Sequence, residues 1–402
     1  MSAAASGELT AAPRIAVIGT GGHGGKHLAH AVRLHEQGRV RLAATADPNP
    51  PASDLVPEGT PCHPDGLALF AAEQVEIAVV STPIQTHFDI ASAAVRAGAD
   101  LLLEKPTTAT LVEYDALVAL AREHGTRIQV GFQSLGCAAI PAIRERVAAG
   151  EIGEVVRYSA AGAWVRDEAY WRRARWAGKR ALDGVVVADG VLTNPLAHAT
   201  ATALALAGAT GRDDITGIQL DLYRANPIEA DDTSVAILGL RDGRRLTTAV
   251  TLAAAHSTEP FVDVVGDRGT FRLFYKIGVV HTLDADGVVR REEVFGFGDL
   301  LENLLENRAQ QSHDGAHTGP ARLYAPIAET GAFMRLVEAV VTAPAPIAID
   351  GAHVDRHSDE SGIHLVVRGV EDAIAEAIRT ERTFAQLGAP FAAGTSAADQ
   401  AR

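Results

Sequence analysis

The side chains best suited to chemistry stand at the ends of short apolar runs or one helical turn apart. Lys105 follows Leu101–Leu103 and Glu104. An ammonium at the end of such a strand faces the ligand crevice of an open parallel sheet and can hydrogen-bond a substrate oxygen. A Glu-Lys pair in that place also suits plain solvated surface. Farther along, Asn194-Pro195-Leu196-Ala197-His198 places an amide and an imidazole four residues apart, on one face of a helix expected over Val191–Ala207. Both could touch one substrate. Asn194 is equally apt as the helix N-cap, with Pro195 as the first helical residue. A histidine this close to a helix N-terminus feels the positive end of the dipole, which favours the neutral imidazole that a general base needs. A capping or core histidine is the plain alternative.

A nucleotide crevice would have to hold these groups in place. Ile15–Ile18 runs into Gly19-Thr20-Gly21-Gly22-His23-Gly24, a GxGxxG turn between an expected strand and an expected helix. Its glycines let backbone approach a pyrophosphate, whose charge meets the free N–H groups at the helix start. Asp47, closing the second strand, can accept from the adenosine ribose diol. No Lys or Arg lies between Asp47 and Thr60, while Asp54 and Glu58 add negative charge, so NAD is favoured over NADP. The other strand ends supply Ser81-Thr82-Pro83 with His87 behind them, Glu104-Lys105-Pro106, and Gly131-Phe132-Gln133.

Short runs at Ile15–Ile18, Val40–Ala46, Ile77–Val80, Leu101–Leu103 and Ile128–Val130 alternate with helical patterns, as in a doubly wound parallel sheet. The expected organisation is a flexible tail over residues 1–12, a Rossmann domain over 13–134 and an α+β domain over 135–402. In the second domain, longer alternating runs at Val155–Val165, Ile215–Tyr223, Ser234–Leu240, Leu246–Ala254 and Phe261–Tyr275 predict a large, mostly antiparallel sheet. Helices near Val191–Ala207, Leu300–Arg308, Ala321–Val341 and Val370–Arg379 are expected on one face of it.

The balance of the 402 residues narrows the function classes. There are 36 Lys+Arg against 50 Asp+Glu, and the formal charge of −14 repels phosphate backbones and anionic lipid, which argues against nucleic acid and membrane as partners. Cys62 and Cys137 form no CxxC motif, which leaves no disulfide framework or Cys-based zinc site and fits a reducing, cytoplasmic setting. No stretch approaches the roughly 20 apolar residues of a transmembrane helix.

The GTGGHG turn, Asp47, the Ser81-Thr82-Pro83 segment with His87, Glu104-Lys105-Pro106 and a following antiparallel domain together resemble the Gfo/Idh/MocA oxidoreductases. The resemblance implies oxidation or reduction of a secondary alcohol of a sugar or cyclitol with NAD(P). It carries the motif lysine onto Lys105 and an Asp-x-x-x-His pair onto Asn194 and His198, with Asn where Asp is usual. On that reading His198 takes the hydroxyl proton, Lys105 hydrogen-bonds the reacting oxygen and Asn194 orients the hydroxyl. A homo-oligomer formed through the C-terminal sheet is also expected.

All three tryptophans, Trp164, Trp171 and Trp176, cluster with Tyr170, Arg166 and Arg173. Stacking of Trp164 and Trp176 on a sugar, with Arg166 gripping a hydroxyl or carboxylate, is one use of such a segment; a subunit-contact arm is another. His256, ending the strand from Leu246, could border the pocket. His353 and His357, near Asp355, Asp359 and His364, mimic a metal cluster at helical spacing, but Gly351, Ser358 and Gly362 argue against a helix, and no metal is expected. Two further functions stay open: glycoside cleavage using NAD transiently, and a dinucleotide-sensing regulator without turnover.

Overall fold

The computed structural model describes residues 12–311, 322–359 and 362–392 and divides into two units. Nearly all of the expected tail, residues 1–11, lies outside the described residues. The first unit comprises Met1–Gly131 together with Leu300–Ile327, and the second holds Phe132–Asp299 and Ala328–Arg402.

In the first unit β1 (Arg14–Ile18), β2 (Arg41–Ala46), β3 (Cys62–His63), β4 (Ile77–Val80), β5 (Asp100–Leu103) and β6 (Ile128–Val130) form one parallel sheet in the order β3-β2-β1-β4-β5-β6. That order reverses between β1 and β4, and ligands of open α/β sheets bind beyond the carboxyl ends of strands at such a point. Ile15 and Val17 of β1 are fully buried against Leu28, Ala31 and Leu34 of the His23–Glu36 helix and Leu300, Leu301 and Leu304 of the Leu300–Gln311 helix. Polar ties fasten the returning segment: Gln129 donates to Leu300 O and Asn303 Oδ1, and Tyr114 donates to Ile327 O at 2.7 Å.

The second unit carries β7 (Val155–Ala163), the small hairpin β8 (Ala181–Leu182) and β9 (Val185–Val186), then β10 (Ile215–Arg224), β11 (Thr233–Leu240), β12 (Arg245–Thr251), β13 (Phe261–Gly266), β14 (Gly269–Phe274), β15 (Val279–Asp284), β16 (Val289–Val294) and β17 (Ile347–Ala348). Except for β8 and β9 they make a nine-stranded sheet, β16-β15-β14-β13-β7-β12-β11-β10-β17. It is mixed: β7 and β12, and β10 and β17, pair in parallel, and the other pairs are antiparallel.

Helices lie on both faces of this sheet, not on one as the sequence suggests, and the helix expected here near Leu300–Arg308 packs in the first unit instead. Thr248 of β12 accepts from Thr200 of the Ala197–Ala207 helix, while its neighbour Ala249 packs with Val370, Ile374, Ala377 and Phe384. Successive strand residues point to opposite faces, so these two helical layers cover opposite sides. The uninterrupted burial of Arg245–Thr251 after its first residue fits such a strand. The C-terminal helices thus cover part of one face, and Val289–Val294 at the edge is exposed almost throughout.

Other expected elements shift as well. The Ala321–Val341 pattern forms a helix only over Gly331–Thr342. The strand beginning near Leu246 ends at Thr251, leaving His256 exposed in the loop beyond it. The His353–His364 region forms a hairpin of β18 (Val354–Asp359) and β19 (Gly362–Val367), with His357 stacked on His364 at 5.6 Å between ring centroids. Among the described residues, no helix is long and apolar enough to cross a membrane.

Candidate active site

The glycine turn joins β1 to the His23–Glu36 helix, whose N-cap, Gly22, adopts φ 53° and supplies no side-chain cap. Two glycines are demanded by packing. A Cβ at Gly24 would lie 2.0 Å from Gly19 O, and one at Gly19, itself at φ +82°, would lie 2.4 Å from Ser81 O. By contrast, a Cβ at Gly21 or Gly22 would meet nothing within 4 Å. The turn is sealed against the protein below and open above, with uncapped N–H groups at a helix start, which suits a dinucleotide pyrophosphate.

Asp47 fastens this turn. Its Oδ2 accepts from Thr20 N at 2.7 Å and Thr20 Oγ1 at 3.2 Å, and its Oδ1 accepts from Asn49 N at 2.8 Å. A carboxylate offers about four lone-pair sites, so capacity for one ribose hydroxyl remains.

His87 is buried at the start of the His87–Arg96 helix. Its Nε2 lies 2.8 Å from Thr82 O and its Nδ1 2.9 Å from Pro106 O. The ring therefore ties the Ser81-Thr82-Pro83 strand end to the turn holding Lys105, whose peptide bond to Pro106 is cis. Burial pushes the imidazole below the usual histidine range, opposed by those two carbonyls.

Glu104 is buried with its Oε1 2.8 Å from His27 Nε2 and 3.3 Å from His23 Nε2, and its Oε2 accepts from Lys105 N at 3.2 Å. Burial pushes this carboxyl up, but hydrogen bonds from the two histidines outweigh it and hold it well below the usual carboxylate range. A Cβ at Gly131 would come within 2.6 Å of the carboxylate, so glycine there makes its room. His27 is absent from the sequence-derived site; its four-residue spacing from His23 was the available signal.

The second unit holds Gln133, Trp164, Arg166, Trp176, Asn194 and His198. His198 is the second residue of the Ala197–Ala207 helix and half-buried, edge-on to Phe132 at 5.6 Å. Its Nδ1 lies 3.2 Å from Ser134 Oγ, which accepts from Thr202 Oγ1 at 2.9 Å. Ser134 and Gln133 share a short 3-10 turn, with Gln133 exposed.

Asn194 is not the N-cap. Residues 191–196 form turns, with Asn194 N donating to Gly190 O and Leu196 N to Val191 O, and the cap position falls to Leu196. Packing fixes this start: buried Leu196 fills the space over Gly162, where a Cβ would lie 2.8 Å from its side chain. The Asn194 amide instead donates through Nδ2 to Asp189 Oδ1 at 2.5 Å.

Asp189 is buried and also accepts from Arg173 Nη2, at 3.1 and 2.9 Å to its two oxygens, and from Gly178 N at 2.7 Å. Burial pushes its carboxyl up, and Arg173, Gly178 and Asn194 pull the other way. Arg173 in turn lies over Tyr170 at 3.8 Å and Trp176 at 4.7 Å, and Arg166 over Trp164 at 4.7 Å and Tyr170 at 4.9 Å. The aromatic segment is one alternating stack of rings and guanidiniums, anchored through Arg173 and Asp189 to Asn194. Sequence reasoning missed Asp189; a single carboxylate inside the apolar run Val185–Val191 was its signal.

Residues 13–132 match the GFO_IDH_MocA family, an oxidoreductase family with an NAD-binding Rossmann fold, and residues 140–272 match the GFO/IDH/MocA C-terminal domain. A protein assigned as the oxidoreductase subunit of a UDP-kanosamine synthase in Amycolatopsis mediterranei (strain S699) is 28% identical, over 64% of this chain and 74% of its own length. The inositol 2-dehydrogenase of Rhizobium meliloti (strain 1021) is also 28% identical, but the alignment spans only 31% of this chain and 38% of that relative. The WlbA dehydrogenase of Bordetella pertussis, solved with NADH and UDP-GlcNAcA, shares the fold with a TM-score of 0.64 at 21% identity, over 82% of this chain and 95% of its own. Matched in order across both of its domains, the chain belongs to the Gfo/Idh/MocA family of NAD-binding oxidoreductases.

Proposed function

We propose that this enzyme transfers a hydride between NAD and a secondary alcohol of a sugar, sugar derivative or cyclitol. The observation that carries the reading is His198, half-buried at a helix start and held at Nδ1 by Ser134, four residues after an amide anchored on a buried carboxylate. Relatives named as a UDP-kanosamine synthase oxidoreductase subunit and an inositol 2-dehydrogenase support the substrate class.

In the proposed reaction His198 Nε2 accepts the hydroxyl proton while Nδ1–H donates to Ser134 Oγ, which has a second lone pair for the Thr202 hydroxyl. Asn194 donates one Nδ2 hydrogen to Asp189, which fixes the amide where it orients the substrate hydroxyl. Lys105 donates to the oxygen that becomes the carbonyl, an interaction that strengthens as negative charge develops there. The amides of Gly21, Gly22 and His23 hold the pyrophosphate, and Asp47 takes one ribose hydroxyl, the geometry that favours NAD over NADP. When bound, NAD supplies the hydride acceptor.

The test is a panel of sugars, sugar acids, nucleotide sugars and cyclitols incubated with NAD while NADH absorbance is followed. Net NADH formation with at least one of them is expected. Glycoside cleavage without net NADH would replace this reading with transient use of NAD, and tight NAD binding with no turnover of any compound would leave a sensor.

A further inference from the structure

We propose that His23, His27 and Glu104 form a binding site for one borderline divalent transition cation of the zinc class. The two histidines lie four residues apart on one face of the His23–Glu36 helix, ring centroids 5.0 Å apart, and both turn Nε2 toward Glu104 Oε1, at 3.3 and 2.8 Å. The three ligand atoms all lie within 4.8 Å of one another. Zinc–nitrogen and zinc–oxygen bonds of about 2.0–2.2 Å set ligand atoms of a tetrahedral site roughly 3.3 Å apart, so an ion enters with small side-chain rotations.

Donor chemistry selects the ion. Two imidazoles and one carboxylate suit Zn²⁺, Co²⁺ or Ni²⁺, whereas Mg²⁺ and Ca²⁺ require oxygen-rich shells. The carboxylate is held from behind, with Lys105 N donating to Oε2 and Gly131 leaving no side chain in its way. Outer contacts of this kind orient metal ligands. The side chains of His27 and Glu104 are 12% and 11% exposed while that of His23 is 50% exposed, which gives a sheltered interior and an open entry. Three protein ligands leave a coordination position for water.

The site shares His23 with the turn proposed to hold NAD, so binding is measured on the full chain, stripped with a chelator and free of dinucleotide. Its failure then leaves the proposed dehydrogenase reaction untouched. Titration with Co²⁺, followed by visible d–d absorption, is expected to give one equivalent per chain, displaced by Zn²⁺ and not by Mg²⁺. His23→Gln should weaken Co²⁺ binding at least about tenfold, the cost usual for losing even an outer-shell partner. Absence of a stoichiometric site, or unchanged affinity in His23→Gln, overturns the proposal. Should that variant melt lower than the parent without metal, X-ray absorption of the zinc-loaded parent decides: two imidazole nitrogens with oxygen ligands support the site, and any other shell overturns it.

Discussion

The Asn194 side chain donates its amide hydrogen to the buried carboxylate of Asp189, 2.5 Å away, five residues before it and outside the helix that carries His198. Where the family pattern has a carboxylate in the place of Asn194, this chain sets one immediately behind it. Asn194→Asp should therefore be harmful. It removes the donor and sets two carboxylates against each other, at a cost of about 1–3 kcal/mol at neutral pH. A carboxyl whose folded pKa is raised loses stability as pH rises, so the penalty should shrink as pH falls toward 3.8, the ordinary Asp value. Urea unfolding of parent and variant across pH checks this, and a constant difference would argue against a direct pair.

Lys105→Met should abolish turnover while leaving NAD affinity nearly intact if, as proposed, the lysine acts on the substrate oxygen and the glycine turn carries the pyrophosphate. Calorimetric NAD titration beside steady-state rates separates the two effects.

His198→Ala should lose roughly 10²–10⁴-fold in kcat/KM, the usual range for a general base. Ser134→Ala, which removes the partner at Nδ1 but not the base, should lose less and displace the acid limb of the pH–rate profile. Superimposable profiles for parent and Ser134→Ala would exclude a positioning role for the serine.

Much of the glycine turn's geometry was legible because its determinants are local. Gly19, Gly21, Gly22 and Gly24 lie within six residues, Asp47 ends the next strand, and the order of apolar runs dictates a parallel sheet. The surroundings of His198 were not legible. Ser134 reaches it across 64 residues and Asp189 acts on Asn194 through a turn, and no periodicity encodes either contact. The capping rule failed at Asn194 because packing of Leu196 over Gly162 decided where the helix begins. The second helical layer went unseen because a strand buried on both faces, such as Arg245–Thr251, differs from one buried on a single face only in its lack of alternation.

Asp47 should prove to have two separable duties. Asp47→Ser with Pro48→Arg is expected to narrow the preference for NAD over NADP, since the variant loses a negative charge and gains a cation for a 2′-phosphate. The same change unfastens Thr20, so affinity for both dinucleotides should fall. Titrations with each dinucleotide read both, and tighter NADP than NAD binding in the parent would remove Asp47 from cofactor choice.

Buried His87 sets an acid limit on stability. With its folded pKa below the ordinary 6.5, the unfolded chain binds the proton more readily, so its contribution is complete above 6.5 and declines as pH falls below it. His87→Gln should be less stable than the parent at pH 7, with the gap narrowing toward pH 5. Denaturant midpoints at the two pH values measure it, and a gap that widens would reverse the sign.

Leu300, Leu301 and Leu304 close over Ile15 and Val17, which the ribosome delivers long before them. Synthesis runs from the N-terminus, and domains ordinarily fold in the order in which they emerge. Here that order is broken: the nucleotide-binding sheet must wait, one apolar flank incompletely covered, while residues 132–299 are made. In the nascent chain this flank stays uncovered until residue 304 is made, and release of a chain truncated before residue 300 would leave it exposed.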